Sequence, residues 1–116
     1  MKTRSVIVGL AALAAGLVSL QASAVAASAE KGKAAFLQHG CWQCHGSQGQ
    51  GGIAGARLAP NPIPFETLSN FVRTTSRAMP PFSREILPDE DLADIYAYLQ
   101  SIPKAPDPGS IPLLNP

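Results

Sequence analysis

The amino-acid sequence predicts a small all-α domain in which three to four short helices are joined by long loops. Three segments have the apolar spacing or the capping residues of helices, and no segment alternates apolar and polar residues as a half-buried strand would. The 116 residues include 10 glycines and 11 prolines, which lie mostly outside those three segments and favour loops there.

The first predicted helix covers residues 28–38. Ser28 is a suitable N-cap, the interior is rich in helix-forming residues, and Gly40 is a suitable stop. Gly32 and Phe36 lie four residues apart and therefore share one face of this helix.

Residues 46–64 are expected to form a loop that wraps around another part of the molecule. Glycine or proline occupies eight positions: Gly46, Gly49, Gly51, Gly52, Gly55, Pro60, Pro62 and Pro64. Neither a regular helix nor a regular strand runs through so many of these residues.

The second predicted helix begins at Pro64, whose fixed φ suits a first helical position, and continues to about Thr75. Its apolar stripe consists of Phe65, Leu68, Phe71 and Val72. This spacing is typical of a helix that packs one face against a core.

The last predicted helix has the strongest pattern. Pro88 suits its first position, three acidic residues at 89–91 complement the positive end of the helix dipole, and Pro103 ends it. Apolar residues recur at i, i+3, i+4 and i+7: Leu92, Ile95, Tyr96 and Leu99. The predicted domain is therefore residues 30–102, followed by a proline-rich C-terminal tail, residues 103–116, which we expect to be extended.

Residues 1–29 have the layout of a secretory signal peptide. Lys2 and Arg4 precede an apolar run at 6–18, and small residues follow, with cleavage expected between residues 24 and 29. The apolar run is shorter than the roughly 20 residues that span a membrane. We therefore expect export to the bacterial periplasm and no membrane span after cleavage. Cleavage takes the basic residues from 9 to 7 against 8 acids, so nothing in the charge favours nucleic-acid binding.

The chain has only two cysteines, Cys41 and Cys44, and His45 follows the second one directly. A redox dithiol also uses this cysteine spacing, but it requires a strand and a βαβ setting that the flanking sequence lacks. A structural zinc site requires four ligands, and the only further histidine, His39, lies too close in sequence to complete a tetrahedron. Both interpretations leave His45 without a role.

The motif Cys41-Trp42-Gln43-Cys44-His45 is typical of covalent haem attachment. The two thiols of such a motif add to the vinyl groups of haem, and the adjacent imidazole reaches the iron. One covalent haem c would also supply an interior that a mature chain of about 90 residues builds only marginally by itself. Capture by haem would keep the thiols from forming a disulfide in an oxidising compartment.

Met79 is the candidate for the opposite axial ligand of the iron. It is the only methionine outside the predicted signal peptide, and it lies 34 residues after His45. Pro80 pushes Met79 towards an extended conformation and, with Pro81, restricts the loop, which favours presentation of the sulfur. The alternative role of a lone methionine is to fill a gap in the core. His39 is interpreted as a solvated surface histidine.

The haem motif, the later Met79-Pro80, the Gly32 and Phe36 pair and the closing segment 94–99 together resemble the class I c-type cytochromes over residues 30–102. The resemblance implies a small cytochrome c fold wrapped around one covalently bound haem. It also implies that the iron has two axial protein ligands.

The resemblance further implies that the first and last helices cross. Gly32 would allow close approach of the two backbones at the crossing, and Phe36, Ile95 and Tyr98 would pack around it.

The sequence departs from the family in the loop after the haem motif. Where the family usually has Gly-Pro-x-Leu, this chain has Gly55-Ala56-Arg57-Leu58. We expect the Ala56 carbonyl still to accept a hydrogen bond from the second ring nitrogen of His45. Arg57 is a candidate partner for a haem propionate, as a matching arginine is in some relatives, and a solvated loop arginine is the alternative.

The predicted function is single-electron transfer by a periplasmic monohaem cytochrome that is not itself an enzyme. The segment from Leu58 to Phe82 resembles small cytochrome subunits and partners of bacterial periplasmic dehydrogenases. Such a protein would accept electrons from a dehydrogenase and pass them to an oxidase or another cytochrome of the respiratory chain. The alternative is a haem-based gas sensor or a peroxidase-like protein in which Met79 is a labile ligand. Three arginines near Met79 are either a docking patch or, as we favour, solvating charge: Arg73, Arg77 and Arg84.

Overall fold

The computed structural model describes residues 26–115, and these residues form an all-α domain. Its four α-helices are α1 (Ala29–Gln38), α2 (Trp42–His45), α3 (Phe65–Thr74) and α4 (Asp89–Ser101). No strand occurs in residues 26–115. The predicted fold class, a small cytochrome c fold with three to four short helices and long loops, is confirmed. Most of the predicted signal peptide, residues 1–25, lies outside the described residues.

Helix α1 begins where the sequence predicts. Ser28 is its N-cap, and the side-chain oxygen of Ser28 accepts a hydrogen bond from the Lys31 backbone N–H at 3.3 Å. The backbone N–H of Ser28 donates to a carboxylate oxygen of Asp94 at 2.6 Å. A buried carboxylate of α4 therefore lies at the positive end of the α1 dipole, where a negative charge is favourable.

Helices α1 and α4 cross in close contact, as predicted. A Cβ atom on Gly32 would overlap the backbone carbonyl of Asp94 and lie 2.8 Å from the backbone nitrogen of Ile95, so only glycine fits. Next to this crossing the rings of Phe36 and Tyr98 pack at a tilt, with centroids 5.7 Å apart. Phe36 is fully buried and Tyr98 is 5% exposed, so the crossing forms the centre of the core.

The remaining core residues come from all parts of the domain. The buried hydrophobic residues are Ala35, Phe36, Ala59, Leu68, Val72, Leu87, Leu92, Ile95, Tyr98 and Leu99. Helix α3 contacts α4 through the rings of Phe65 and Tyr96, which meet edge to face at 5.2 Å. The loop between α2 and α3 contributes Ala59 to the same cluster.

Two helices begin one residue later than predicted. Pro64 and Pro88 occupy the N-cap positions of α3 and α4 with extended ψ angles of 139° and 152°. Each proline carbonyl nevertheless accepts the first helical hydrogen bond, from Leu68 and Leu92 respectively, at 3.0 Å.

The tail beyond α4 is exposed but is not wholly extended. Short 3₁₀ helices occupy Pro108–Ser110 and Pro112–Leu114. The side chain of Asp107 caps the first of these by accepting from the Gly109 N–H at 2.8 Å. Over residues 26–115 the helices are all too short or too polar to cross a bilayer.

Candidate haem-binding site

Both cysteines belong to the short helix α2 or its N-cap. Cys41 is the N-cap of α2 and is half-buried against the core, whereas Cys44 lies within the helix and is exposed. The two thiols are free and are not joined by a disulfide. Burial raises the pKa of the Cys41 thiol, and the nearby backbone N–H of Cys41 partly opposes this shift.

The imidazole of His45 is oriented by the loop that follows α2. Its Nδ1 lies 2.7 Å from the carbonyl oxygen of Ala56, and because a carbonyl can only accept, Nδ1 carries the proton. In the neutral ring this leaves the lone pair on Nε2 available for a metal. The hydrogen bond expected from the loop sequence is therefore present, although alanine replaces the proline of the related sequences.

Gly55 allows this approach of the loop to the ring. A Cβ atom at Gly55 would lie 2.9 Å from His45 Nδ1 and 2.7 Å from the carbonyl oxygen of Cys44. Both distances are shorter than real Cβ contacts, so any larger residue would push the loop away from the imidazole.

The loop of residues 46–59 is fixed to the core at two places. Gly49 is buried, and its carbonyl oxygen accepts hydrogen bonds from the backbone N–H groups of Leu58 at 2.7 Å and Ala59 at 2.9 Å. The hydroxyl of Tyr98 donates to the carbonyl oxygen of Ser47 at 3.0 Å. The resemblance implies a role for Tyr98 only in the packing at the helix crossing, because nothing local in the sequence indicates a partner 51 residues away.

Met79 lies in the loop between α3 and α4, where it is half-buried and packs against the hydrophobic core. Cys41, Leu58 and Phe65 also pack against this core, so the haem motif and Met79 both contact the hydrophobic core of the domain. The backbone N–H of Phe82 donates to the carbonyl of Val72 at 2.9 Å, which joins this loop to α3.

The interpretation of the nearby arginines as solvating charge is wrong for Arg73. Its side chain is only 10% exposed, and its guanidinium donates to the carbonyl oxygens of Phe82 and Ser83 at 3.0 and 3.2 Å and to Asp89 at 2.8 Å. These partners follow Arg73 by 9 to 16 residues, beyond the reach of any helical spacing rule. Arg84 also pairs with Asp89, at 2.8 Å, whereas Arg77 is exposed.

The interpretation of His39 as a solvated residue is also wrong. The His39 side chain is 10% exposed, and its Nε2 lies 3.0 Å from a carboxylate oxygen of Asp91. The crossing of α1 and α4 places the end of one helix beside the start of the other, which creates this pair. His39 thus links the two helices.

Arg57 is exposed and its side chain has no hydrogen bond to any residue in the range 26–115. It lines a shallow surface groove together with Gln50, Pro60 and Lys104. The loop thus presents its guanidinium to solvent rather than to another part of the described chain.

The arrangement of these residues fits a covalently attached haem. One free thiol lies at the N-cap of a short helix and the other within it, an imidazole has its Nδ1 satisfied and its Nε2 available, and glycine at position 55 lets the loop approach the ring closely. A thioether from Met79 lies against the same apolar cluster that Cys41 borders. A neutral imidazole and a thioether are the ligand types of electron-transferring haem proteins.

Comparisons with known proteins agree with this chemistry. No curated protein and no solved structure matches the chain. The model of one protein family, described as cytochrome c oxidase, cbb3-type, subunit III, matches residues 27–99. Proteins of this family carry a c-type cytochrome domain with covalent haem c and transfer electrons. The chain belongs to this family and is a monohaem class I c-type cytochrome.

Proposed function

We propose that this cytochrome is a periplasmic electron carrier in which Cys41 and Cys44 hold the haem covalently and His45 and Met79 are its axial ligands. The hydrogen bond from His45 Nδ1 to the Ala56 carbonyl carries the proposal, because it leaves Nε2 available beside two free thiols. Bound haem supplies the one-electron couple of its iron. The protein holds the iron between two ligands, so that little rearranges when an electron arrives.

Each side chain has a separate task in this proposal. The carbonyl of Ala56 keeps His45 in one tautomer and one orientation, and it increases the basicity of the ring. The thioether of Met79 is neutral and favours reduced iron, which raises the potential. Arg57 would neutralise a propionate, and Arg57→Gln should therefore lower the midpoint potential, because the lost positive charge opposed oxidation.

The attachment is tested by expressing the chain with a haem-maturation system. Cys41→Ser and Cys44→Ser should each shift the pyridine haemochrome spectrum towards that of a haem with a free vinyl group, and the double variant should carry no covalent haem by mass spectrometry. His45→Ala should abolish the low-spin spectrum. His39→Ala is the matched histidine control, since its ring pairs with Asp91, and it should leave the spectrum unchanged.

The sixth ligand separates an electron carrier from a gas sensor or peroxidase-like protein. An iron with two protein ligands transfers electrons, whereas an open or labile position binds oxygen or peroxide. The ferric protein should be low-spin and show the weak red-region sulfur-to-iron band, and Met79→Ala should remove the band and open the site. A high-spin wild-type spectrum, or a band that survives this substitution, would contradict the assignment of Met79.

We further propose that electrons come from a periplasmic dehydrogenase and leave towards an oxidase or another cytochrome. The description of the matching family names an oxidase subunit, which supports an oxidase on the acceptor side. Purification from the native periplasm, followed by stopped-flow reduction with each co-eluting fraction, tests this. Reduction by a dehydrogenase fraction supports the proposal, and reduction only by a membrane quinol complex would replace it with a respiratory shuttle.

For export, we propose signal-peptide cleavage after Ala24 or Ala26 rather than after Ala29. Ser28 caps α1 with its side chain, and its backbone N–H binds Asp94, so cleavage beyond it would remove both contacts. Intact-mass measurement of the periplasmic protein determines the site. A mature N-terminus at Glu30 would contradict this proposal.

A further inference from the structure

The side chain of Arg73 is a nearly buried cation with three defined partners. Its side chain is 10% exposed, and one terminal nitrogen donates to the carbonyl oxygens of Phe82 and Ser83 while the other donates to Asp89. The Nε atom of Arg73 has no hydrogen-bond partner among the described residues. Burial of a cation is costly unless it is paired, so the guanidinium is held there by the loop carbonyls and the carboxylate.

The loop segment that Arg73 binds, residues 79–83, makes few other hydrogen bonds. Pro80 and Pro81 lack backbone N–H groups and cannot donate hydrogen bonds. Among the described residues, the segment from Met79 to Ser83 donates only one backbone hydrogen bond, from Phe82 to α3. Two carbonyls of this short segment are then bound by one guanidinium, within four residues of Met79.

The contacts of Arg73 join three parts of the molecule. The residue lies in α3, and Asp89 is the first residue of α4. Its two carbonyl partners lie in the loop of residues 75–88, which carries Met79 and is called the methionine loop below. Arg84, later in the same loop, binds the other carboxylate oxygen of Asp89 at 2.8 Å. The loop is consequently fixed to both helices by ionic hydrogen bonds, which are stronger than neutral ones.

We propose that Arg73 is a positioning residue for Met79. It holds the methionine loop in one conformation, so that the loop loses little conformational freedom when the Met79 sulfur binds the iron. This inference rests on the proposed ligation by Met79. A guanidinium suits the task because its planar fork reaches two carbonyls and a carboxylate at once, whereas the single ammonium of a lysine is a point charge on a flexible stem.

The test uses the haem-loaded protein and measures how readily added imidazole replaces the sulfur in the ferric state. Removing a charged hydrogen-bond donor from the loop should favour the loop-open form, and Arg73→Ala should therefore bind imidazole about tenfold more tightly or better. The red-region band should weaken in parallel. Arg77→Ala is the matched control, since Arg77 is exposed, and it should leave both measurements unchanged.

Two conservative variants keep the test decisive if Arg73→Ala does not fold. Arg73→Lys keeps the positive charge, and Arg73→Gln replaces the guanidinium by a neutral amide that can still donate hydrogen bonds. Both variants should have an imidazole affinity between those of wild type and Arg73→Ala. A variant that is folded and less stable, but keeps the wild-type band and imidazole affinity, would overturn the proposal and leave Arg73 a purely structural role. If Met79→Ala abolishes the band while the Arg73 variants do not affect it, this inference alone fails. If Met79→Ala leaves the band intact, the proposed ligation fails.

Discussion

Replacing Gly32 by alanine tests the helix crossing on which the domain is built. The added Cβ would overlap the backbone carbonyl of Asp94 and lie 2.8 Å from the nitrogen of Ile95. Restoring an ordinary contact of 3.4 Å to Ile95 alone requires α1 and α4 to move apart by about 0.6 Å, and the nearer carbonyl requires more. The clash involves backbone on both sides, so no side-chain rotation relieves it.

The expected loss in unfolding free energy follows from the packing contacts that this movement weakens. A gap of roughly 0.5 to 1 Å already removes a quarter to a half of the dispersion energy of a packed contact. Phe36 and Tyr98 are buried beside the crossing and would lose contacts together. We expect a loss of about 3 kcal/mol in unfolding free energy, at the upper end of ordinary overpacking. Helix propensity acts in the opposite direction, since alanine is favoured over glycine by about 1 kcal/mol within a helix.

The assay is equilibrium unfolding of the haem-loaded protein in guanidinium chloride, followed by far-UV circular dichroism. Gly52→Ala is the matched control, because a Cβ there would meet nothing closer than the Cys44 carbonyl oxygen at 3.8 Å, an ordinary contact. Its unfolding free energy should stay within about 0.5 kcal/mol of wild type. A Gly32→Ala protein as stable as wild type, or more stable, would refute the argument, because propensity would then outweigh the crossing.

Three further predictions concern the loops and the acidic start of α4. Tyr98→Phe removes the hydroxyl that donates to a carbonyl of the loop 46–59 and should lower the unfolding free energy by about 1 kcal/mol. Tyr96→Phe is the control, because the Tyr96 hydroxyl has no partner in residues 26–115, and it should lower the unfolding free energy by less than about 0.5 kcal/mol. Gly55→Ala should displace the proximal imidazole and lower the yield of low-spin haem protein, and Gly52→Ala should not. Hydrogen bonds from two arginines lower the pKa of Asp89, so its stabilising contribution is present above the ordinary carboxyl pKa of about 4 and is lost as the pH falls through the lower folded value. Thermal unfolding at pH 5 and pH 3 should therefore show a smaller acid destabilisation for Asp89→Asn than for wild type.

The sequence predicted those features that depend on local patterns or on a short motif. The capping role of Ser28 was predictable because a helix start requires a particular residue type there, and the Gly32 crossing was implied by the resemblance to the class I c-type cytochromes. The acceptor for His45 was predictable because Ala56 lies at a fixed place in a known loop. The helix starts differed by only one residue, because the fixed φ of proline is also compatible with the extended N-cap position that Pro64 and Pro88 occupy.

The acidic residues of α4 show what a local pattern leaves out. The sequence explained the acids at its start only as partners of the helix dipole, but three acidic side chains in the helix have specific partners elsewhere in the fold. Asp89 binds Arg73 and Arg84, Asp91 binds His39, and Asp94 binds the backbone of Ser28. These partners precede their carboxylates by 5 to 66 residues, and only the folded packing brings them together.

These contacts give α4 a direct part in the geometry of the proposed site. His39 and the loop after α2 are tied to α4 through Asp91 and Tyr98, and the methionine loop is tied to it through Arg73 and Asp89. The segments that carry the two proposed ligands are thus both joined to one helix of 13 residues. If His45 and Met79 are the ligands, as we propose, these contacts would help the protein to fix their separation. An iron held in this way needs little rearrangement on gaining or losing an electron, which is the structural requirement of a carrier.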